Sequence, residues 1–412
     1  MIDLSRSLAP LQTRPSFSSW AEKLVAVRLE RVAEGQLDLE CQGRLWRFGR
    51  PAPDGLRARV TVLDRRLFTR ALLGGTLGAS EAFVDGAWVA DDLTKAIRVF
   101  VRNAELLEGF ELGASRLGNW LAGLYHSTRK NTRAGSRRNI SEHYDLGNDF
   151  FQRMLDPTMT YSAAIFEQPS SSLEEASIHK LDLLCRKLDL GPGDHLLEIG
   201  TGWGSLAMHA ASRYGCQVTT TTLSREQHAL ATARIHERGL SRKVTVLEVD
   251  YRELEGRFDK IVSCEMIEAV GREYYPTFFR QCDRLLAAGG KLAIQAITIR
   301  DQRFEQASRE VDFIKRHIFP GSCMPSVTAL LQAATRASAL TLRSLEDFTP
   351  HYARTMAEWR ANLAPHKHEV IARFGERFWR MWSYYLAYCE AGFAERYIGS
   401  AQLVFARADS VR

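Results

Sequence analysis

Three glycines, Gly200, Gly202 and Gly204, follow the apolar run LLEI and are separated from one another by single residues. Such a turn lets the backbone approach a ligand closely, and a helix that starts behind it presents free N–H groups. A nucleotide phosphate, a dinucleotide and a small nucleoside are all compatible with this arrangement. However, the spacing differs from GxGxxG, no GK[ST] follows, and Glu198 precedes the turn, where its charge would repel a pyrophosphate. The residues therefore favour a cationic or neutral nucleoside ligand over an NAD-type ligand.

The elements that must position this turn are short strands that alternate with helices from about residue 140 onwards. The predicted strands are HLLEIG, QVTTTTL, VTVLEVD, KIVSCEMI and KLAIQAITI, with YIGSAQLVFAR as a last strand. The predicted helices are SLAMHAASRYG, SREQHALATARIHERGL and YYPTFFRQCDRLLAAGG. This alternation predicts an α/β fold with a parallel sheet between two layers of helices. Ligands of such sheets bind at the carboxyl ends of the strands, which is where the glycine turn lies.

The length of 412 residues predicts two or three domains. In residues 1–125 we predict strands in LVAVRLERVAEGQLDLECQGRLWRFG and in ARVTVLD, followed by a helical part, and hence a small α+β domain. Its Asp85, Asp91 and Asp92 are interpreted as turn and cap residues. Residues 126–140 are predicted to form a linker with five basic residues and no acid, namely Arg129, Lys130, Arg133, Arg137 and Arg138. Residues 141–412 form the predicted α/β domain, with an aromatic-rich, mostly helical cover over about 301–395.

Composition and the pattern of apolar residues predict the compartment of the protein and its classes of partner. The formal net charge of +6 does not require a nucleic acid and leaves anionic membranes and acidic substrates open. The seven cysteines form no close pairs, which argues for a reducing compartment and against structural zinc. The N-terminus lacks the apolar core of a secretion signal, and no stretch approaches the roughly 20 apolar residues of a membrane span. We expect a cytoplasmic protein without a metal site that can still touch a membrane surface.

Several motifs, taken together, resemble the cyclopropane fatty acid synthase family of S-adenosylmethionine-dependent enzymes. They are LLEIGTGWGS, TTTLSREQ, DYREL, IVSCEMIEAVG and HIFPGSCMPS, within a similarity that extends from NISEHYDLGNDFF to AQLVFAR. LGASEAFVDGAWVADDL resembles the N-terminal domain of the bacterial members. The resemblance implies a Rossmann-like class I methyltransferase domain with a mixed, mostly parallel sheet and a helical acyl-chain cover. It also implies transfer of the sulfonium methyl to a cis double bond of an unsaturated phospholipid acyl chain at the inner face of the membrane, with a homodimer as the candidate assembly.

The resemblance assigns the cofactor residues one motif at a time. By this resemblance, TYSAAIF contacts the methionine part of S-adenosylmethionine, and the glycine turn lies beneath it. TLSREQ lies near the ribose and adenine, and VDYREL lies where the adenine is held. The implied cofactor-binding residues are Tyr161, Ser162, Gly200, Gly202, Leu223, Gln227, Asp250 and Tyr251.

The implied catalytic residues are those that hold a bicarbonate ion, which acts as the base in the family. Glu268 and Tyr352 match the glutamate and the tyrosine of the family, and Ile297 matches an isoleucine that contributes its backbone. Ala163 stands where the family has a cysteine, and Gln295 stands where it has a histidine. An amide can still donate a hydrogen bond to an anion, whereas Ala163 offers only its backbone N–H. The anion site is therefore predicted to be weakened.

These departures put the product in doubt; we predict a cyclopropane fatty acid, with methyl or methylene branching as the alternative. A retained bicarbonate implies a cyclopropane ring, and a lost one implies a methyl-branched or methylene chain. The histidine that usually follows Glu268 is replaced by Ala269, and His351 is interpreted as a surface residue. A non-catalytic lipid-binding protein is the alternative from another class, and it should not bind S-adenosylmethionine. A nucleic-acid methyltransferase is disfavoured because the chain has no NPPY-type motif and no basic groove interleaved with aromatic residues.

Overall fold

The computed structural model describes residues 19–104 and 146–407. These residues divide into two compact units, one made of residues 19–104 and 376–391 and the other of residues 146–375 and 392–407. The predicted linker at 126–140 and its basic residues lie outside the described residues. The predicted cover at 301–395 is shared between the units, because residues 376–391 group with the N-terminal part of the chain.

The first unit contains a four-stranded sheet with helices. Its elements before the gap are α1 (Trp20–Leu29), β1 (Gly35–Cys41), β2 (Arg44–Arg50), β3 (Arg57–Val62), α2 (Arg66–Val84), β4 (Trp88–Ala90) and α3 (Leu93–Arg102). The strand order is β2-β1-β3-β4, and β1 pairs with β3 in parallel. β2 and β3 alternate buried and exposed residues, as strands with one covered face do.

The N-terminal end of this unit corrects one prediction. The residues LVAVRL form part of helix α1 and not of a strand; Ser19 caps this helix by accepting a hydrogen bond from the N–H of Glu22. The buried residues Val25, Ala26 and Leu29 are spaced for one face of a helix, and a short run of this kind also satisfies a strand pattern.

The aspartates of the first unit are turn and cap residues, as predicted. Asp92 caps α3 by accepting a hydrogen bond from the N–H of Lys95, and Asp91 accepts one from the N–H of Arg59. Asp85 ends α2 and forms an ion pair with Arg70.

The second unit is built around a seven-stranded sheet. Its elements, with the helix that it shares with the first unit, are α4 (Asn148–Met154), α5 (Leu173–Lys187), β5 (His195–Ile199), α6 (Ser205–His209), β6 (Gln217–Thr221), α7 (Arg225–Glu237), β7 (Val244–Leu247), β8 (Phe258–Cys264), α8 (Ile267–Val270), α9 (Tyr275–Leu285), β9 (Leu286–Ile299), α10 (Asp301–Arg309), α11 (Val327–Ala337), β10 (Leu340–Asp347), α12 (Thr349–Leu363), α13 (Lys367–Phe374), α14 (Glu376–Ala394) and β11 (Ile398–Arg407). The strand order is β10-β11-β9-β8-β5-β6-β7. The five strands from β9 to β7 are parallel, whereas β11 and β10 are antiparallel to their neighbours.

The central strands are apolar because both faces of the sheet are covered. On β5, Leu197 contributes to one buried cluster and Leu196 to another, and on β8 Ile261 and Val262 divide in the same way. Successive side chains of a strand point to opposite faces, so each apolar run supplies both cores at once.

Two boundaries differ from the predictions. β10 lies within the region predicted as helical, and it is an edge strand whose residues are largely exposed, so no buried apolar run marks it. Main-chain pairing with β11 defines it. β9 begins at Leu286, so the residues LAAGG, predicted as the end of a helix, are extended.

The carboxyl ends of the parallel strands collect most of the predicted site residues. The glycine turn follows β5, Leu223 follows β6, Asp250 follows β7, and Glu268 follows β8. Parallel strands end at one edge of the sheet, so residues distant in sequence become neighbours there.

Candidate active site

The glycine turn after β5 leaves open space. Gly200 has φ +104° and Gly202 has φ +52°, both in the left-handed region that disfavours other residues. A Cβ placed on Gly202 would meet no atom of the described chain within 4 Å, whereas one on Gly200 would lie 3.4 Å from Cβ of Met266. The N–H groups of Gly200 and Thr201 donate to the carbonyl of Thr221, which ties the turn to β6. The open cradle at Gly202 can therefore accept a ligand.

Glu198, at the end of β5, is turned into the protein. Its carboxyl accepts a hydrogen bond from Oγ1 of Thr220 at 2.6 Å, and Thr220 also contacts Oγ1 of Thr201. Burial raises the pKa of Glu198 to about 8. The hydrogen bond from Thr220 and the charge of Lys180 lower the pKa, but their effect is smaller than that of burial. This acid supports the turn from inside the sheet.

Tyr161 and Ser162 lie beside a buried lysine that sequence reasoning missed. Nζ of Lys180, on α5, donates to Oγ of Ser162 at 2.8 Å and lies 3.5 Å from Sγ of Cys264. The Tyr161 ring lies 5.4 Å from Phe151 and 5.2 Å from Trp359, measured between ring centroids. Lys180 thus places a positive charge beside this segment, which suits the carboxylate of a methionine group, and the aromatic wall suits a sulfonium cation.

The residues predicted near the ribose and adenine occupy the ends of β6 and β7. Leu223 is half-buried, and Oε1 of the buried Gln227 accepts a hydrogen bond from Oγ1 of Thr222 at 2.9 Å. Asp250 forms an ion pair with Arg252 at 2.6 Å. The hydroxyl of Tyr251 is buried without a hydrogen-bond partner among the described residues, and burial raises its pKa. An unsatisfied buried hydroxyl is costly, so this end of the site fits a polar ligand.

The predicted catalytic residues converge on a group that sequence reasoning did not assign. Oε1 of Glu265 accepts hydrogen bonds from the N–H of Ala163 at 3.0 Å and from Nε2 of Gln295 at 2.8 Å. Oε2 of Glu265 accepts a hydrogen bond from the hydroxyl of Tyr352 at 2.6 Å. Three of the residues predicted to hold a free anion therefore hold a carboxylate of the chain itself.

Glu268 and Ile297 form a separate pair beside this cluster. The N–H of Ile297 donates to Oε1 of Glu268, and Oε2 of Glu268 is buried without a hydrogen-bond partner among the described residues. Burial, and next the charge of Glu265, raise the pKa of Glu268 to about 8. Burial also raises the pKa of Glu265, but its hydrogen bonds from Tyr352, Gln295 and Ala163 favour the charged form. Of the two acids, Glu268 holds a proton more readily.

The amide of Gln295 is oriented from behind. Its Oε1 accepts a hydrogen bond from Nε2 of Gln402 at 2.9 Å, and Oε1 of Gln402 accepts one from Nζ of Lys187 at 2.6 Å. Gln295 on β9 and Gln402 on β11 are paired in register, and both are almost fully buried. This chain of donors directs Nε2 of Gln295 towards Glu265.

His351, interpreted from the sequence as a surface residue, is only partly exposed. It is half-buried on α12, and its Nδ1 accepts a hydrogen bond from the N–H of Phe166 at 3.2 Å. Burial and the charge of Arg354 lower its pKa, which favours the neutral ring. The neighbouring Tyr352 stacks on Phe393 with ring centroids 4.2 Å apart, so packing holds its hydroxyl in place.

Two signals in the sequence pointed to the missed residues. Glu265 lies near the carboxyl end of the predicted strand KIVSCEMI and three residues before Glu268, at the edge of the sheet where ligands bind. Lys180 interrupts the apolar face of a helix, and a lysine is rarely fully buried without a partner.

Comparisons with known proteins agree with this architecture. A family model described as "Mycolic acid cyclopropane synthetase" matches residues 130–403. The tuberculostearic acid methyltransferase of Mycobacterium tuberculosis is 36% identical over 369 residues, which are 86% of this chain and 84% of that protein. The cyclopropane-fatty-acyl-phospholipid synthase of Escherichia coli is 36% identical over 365 residues, 85% of this chain and 88% of that protein.

The solved structures extend the likeness to three dimensions. The mycolic acid cyclopropane synthase CmaA1, complexed with SAH and CTAB, is 33% identical with a TM-score of 0.61 and covers 65% of this chain and 97% of that one. The predicted α/β class I methyltransferase fold is thereby confirmed. No helix within the described ranges is long and apolar enough to cross a membrane. The chain belongs to the mycolic acid cyclopropane synthetase family and is an S-adenosylmethionine-dependent methyltransferase of the cyclopropane synthase type.

Proposed function

We propose that this enzyme transfers the methyl(ene) group of S-adenosylmethionine to the cis double bond of an unsaturated phospholipid acyl chain and forms a cyclopropane fatty acid. The observation that carries the proposal is the buried cluster of Ala163, Gln295, Tyr352 and Glu265 at the same sheet edge as the open glycine turn. A proton must leave the substrate after methyl transfer, and this cluster supplies a buried anionic acceptor.

The chain offers a coherent binding site for S-adenosylmethionine, which supplies an electrophilic methyl group when bound. The open cradle at Gly202, the aromatic wall at Tyr161 and the unsatisfied hydroxyl of Tyr251 support its placement. Tyr161, Ser162 and the glycine turn would hold the methionine part. Leu223 and Gln227 would lie along the ribose and adenine, with Asp250 and Tyr251 at the adenine.

The chemistry requires a dry site because an alkene is a weak nucleophile and its reaction leaves a carbocation. Positioning therefore supplies most of the rate enhancement. Buried aromatic rings such as those of Trp359, Tyr352 and Phe393 exclude water, and their faces favour a transient positive charge. Glu268 and Ile297 stand beside the anionic cluster and would line the same reaction space.

The substrate side of the proposal places the enzyme at the cytoplasmic face of a membrane. Phospholipid acyl chains lie inside a bilayer, so an enzyme that acts on them must dock on its surface. The basic residues between 129 and 138, which lie outside the described residues, would attract anionic head groups at about 1 kcal/mol each. A homodimer is the assembly that we propose, and no nucleic acid partner is needed.

The decisive test uses a host that lacks its own cyclopropane synthase. Phospholipid acyl chains are analysed by mass spectrometry after expression, with the Gly202→Ala variant as the matched control. A cyclopropane and an isomeric methylene chain have the same mass, so the sample is first hydrogenated mildly; a methylene takes up hydrogen, and the ring survives. We expect ring-containing chains from the wild type alone. Chains without any added carbon would refute the proposed function.

A second candidate product is a methyl- or methylene-branched chain. It is favoured by the departures at Ala163 and Gln295 and by the likeness to a protein named tuberculostearic acid methyltransferase. In the same experiment a methylene chain would take up hydrogen, and a methyl-branched chain would already be saturated. Neither sample would contain the cyclopropane ring. A non-catalytic lipid carrier would bind no S-adenosylmethionine in calorimetry.

A further inference from the structure

We infer that the carboxylate of Glu265 is the built-in base of this enzyme and takes the place of the bicarbonate ion that the resemblance to other synthases implies. The inference rests on the proposed function, since it assigns the proton acceptor of that reaction. It predicts that the enzyme works without added bicarbonate.

The hydrogen bonds at the site carry the first argument. A main-chain N–H, an amide N–H and a phenol hydroxyl come from Ala163, Gln295 and Tyr352, and all three donate to one carboxylate. Such a set of donors is what an oxyanion requires. Because Glu265 uses all three, a bicarbonate ion bound to the same donors would have to displace it and leave a buried carboxylate unsatisfied.

The backbone supplies the second argument. Glu265 has φ +52°, one of few non-glycine residues of the described chain in the left-handed region. That conformation costs a side-chain-bearing residue about 1–2 kcal/mol, which a glycine would avoid. Strain of this kind persists where the surrounding structure has a use for the side chain. Here it turns the carboxylate of Glu265 into the cluster of donors.

The third argument comes from the charges around the two neighbouring acids, Glu265 and Glu268. Glu268 accepts one hydrogen bond at Oε1 and has an unsatisfied Oε2, whereas Glu265 accepts three hydrogen bonds. Lys180, which hydrogen-bonds Ser162 and Cys264, adds a positive charge that favours the Glu265 carboxylate. Two adjacent buried acids do not both ionise easily, so the negative charge resides on Glu265 and the proton on Glu268.

The chemical step balances with this residue alone. The alkene π pair forms a bond to the transferred methyl carbon while the carbon–sulfur bond breaks towards sulfur, which leaves a cation on the other alkene carbon. An oxygen of Glu265 then takes a proton from the added methyl group. The electron pair of that C–H bond forms the second ring bond, and the products are S-adenosylhomocysteine, a cyclopropane chain and a protonated Glu265 that returns its proton to solvent.

The experiment measures methyl transfer into vesicles of unsaturated phospholipid in buffer freed of carbon dioxide, with and without millimolar bicarbonate. Wild-type turnover should be the same in both buffers. Glu265→Gln should lower kcat by about 10²–10⁴-fold, the usual contribution of a general base, and bicarbonate should not restore it because the amide fills the site. Glu265→Gly relieves the backbone strain and vacates the carboxylate position, so its low turnover should rise at least tenfold with bicarbonate.

A matched control is Gln42→Gly, which removes an exposed side chain at φ +50° and should change neither turnover nor bicarbonate dependence. A wild type that loses activity without bicarbonate, or a Glu265→Gln variant with full turnover, would overturn the inference while leaving the proposed function intact. A wild type that is inactive in both buffers, despite binding S-adenosylmethionine, would instead count against the proposed function.

Discussion

Replacing Glu268 by glutamine removes a proton-binding group from the buried site and keeps a side chain of the same shape. The glutamine oxygen can still accept the hydrogen bond from the N–H of Ile297, and its NH₂ group replaces the protonated oxygen. The pKa of Glu268 is raised from 4.5 to about 8, so the folded protein holds a proton that the unfolded chain releases. Stability from such a group is full at low pH and is lost as the pH rises towards the folded pKa.

The size of the effect follows from these two pKa values. Between pH 4.5 and pH 7 the free energy of unfolding of the wild type should fall by about 1.4 kcal/mol per pH unit from this group, or about 3 kcal/mol in total. The Glu268→Gln variant lacks this pH-dependent loss of unfolding free energy. It should therefore match the wild type near pH 5 and become more stable than it as the pH approaches 8.

The assay is urea unfolding of both proteins, followed by circular dichroism, at pH values from 5 to 8. Glu305→Gln is the matched control, because Glu305 is an exposed acid whose pKa is lowered by Arg272. Parallel curves for the wild type and Glu268→Gln, with a constant gap in unfolding free energy, would show that Glu268 does not hold a proton in the folded protein. In the vesicle assay, the same variant should lower turnover more than cofactor affinity.

Three further substitutions test the remaining parts of the site. Gly202→Ala should weaken S-adenosylmethionine binding at least tenfold by calorimetry, whereas Gly239→Ala, also at positive φ with open space around it, should not; equal affinities would remove the cradle assignment. Tyr352→Phe removes one hydrogen bond to a charged group, worth about 1.5–3 kcal/mol, so kcat should fall about 10- to 100-fold while KM stays the same. A fall in protein stability without a fall in kcat would contradict that role. Exchanging all five basic residues of the predicted linker for serine should weaken binding to anionic vesicles and flatten its salt dependence; unchanged cosedimentation would leave the segment as a linker only. The five residues are Arg129, Lys130, Arg133, Arg137 and Arg138.

The sequence by itself determined most of the sheet, the glycine turn at its edge and the family. Buried parallel strands are covered on both faces, so they appear as short apolar runs that can be recognised without a partner strand. The glycine turn is equally local, because Gly200 and Gly202 need positive φ values that other residues resist. Elements defined by contacts rather than composition were missed: β10 is an exposed edge strand, and α1 satisfied both a helix and a strand pattern.

The hydrogen-bond cluster around Glu265, by contrast, was decided by the tertiary structure. The donors to Glu265 come from residues 102, 30 and 87 positions away, Ala163, Gln295 and Tyr352 respectively. The sequence predicted a weakened site for an external anion, because Ala163 and Gln295 replace the cysteine and the histidine that the family has at these positions. Only the register of β8 against β9 and the packing of α12 bring the three donors within 3.0 Å of one carboxylate. Hydrogen bonds depend on the distance and direction between donor and acceptor. The left-handed conformation of Glu265 helps to set this geometry, and it cannot be recognised from the spacing of residues in the sequence.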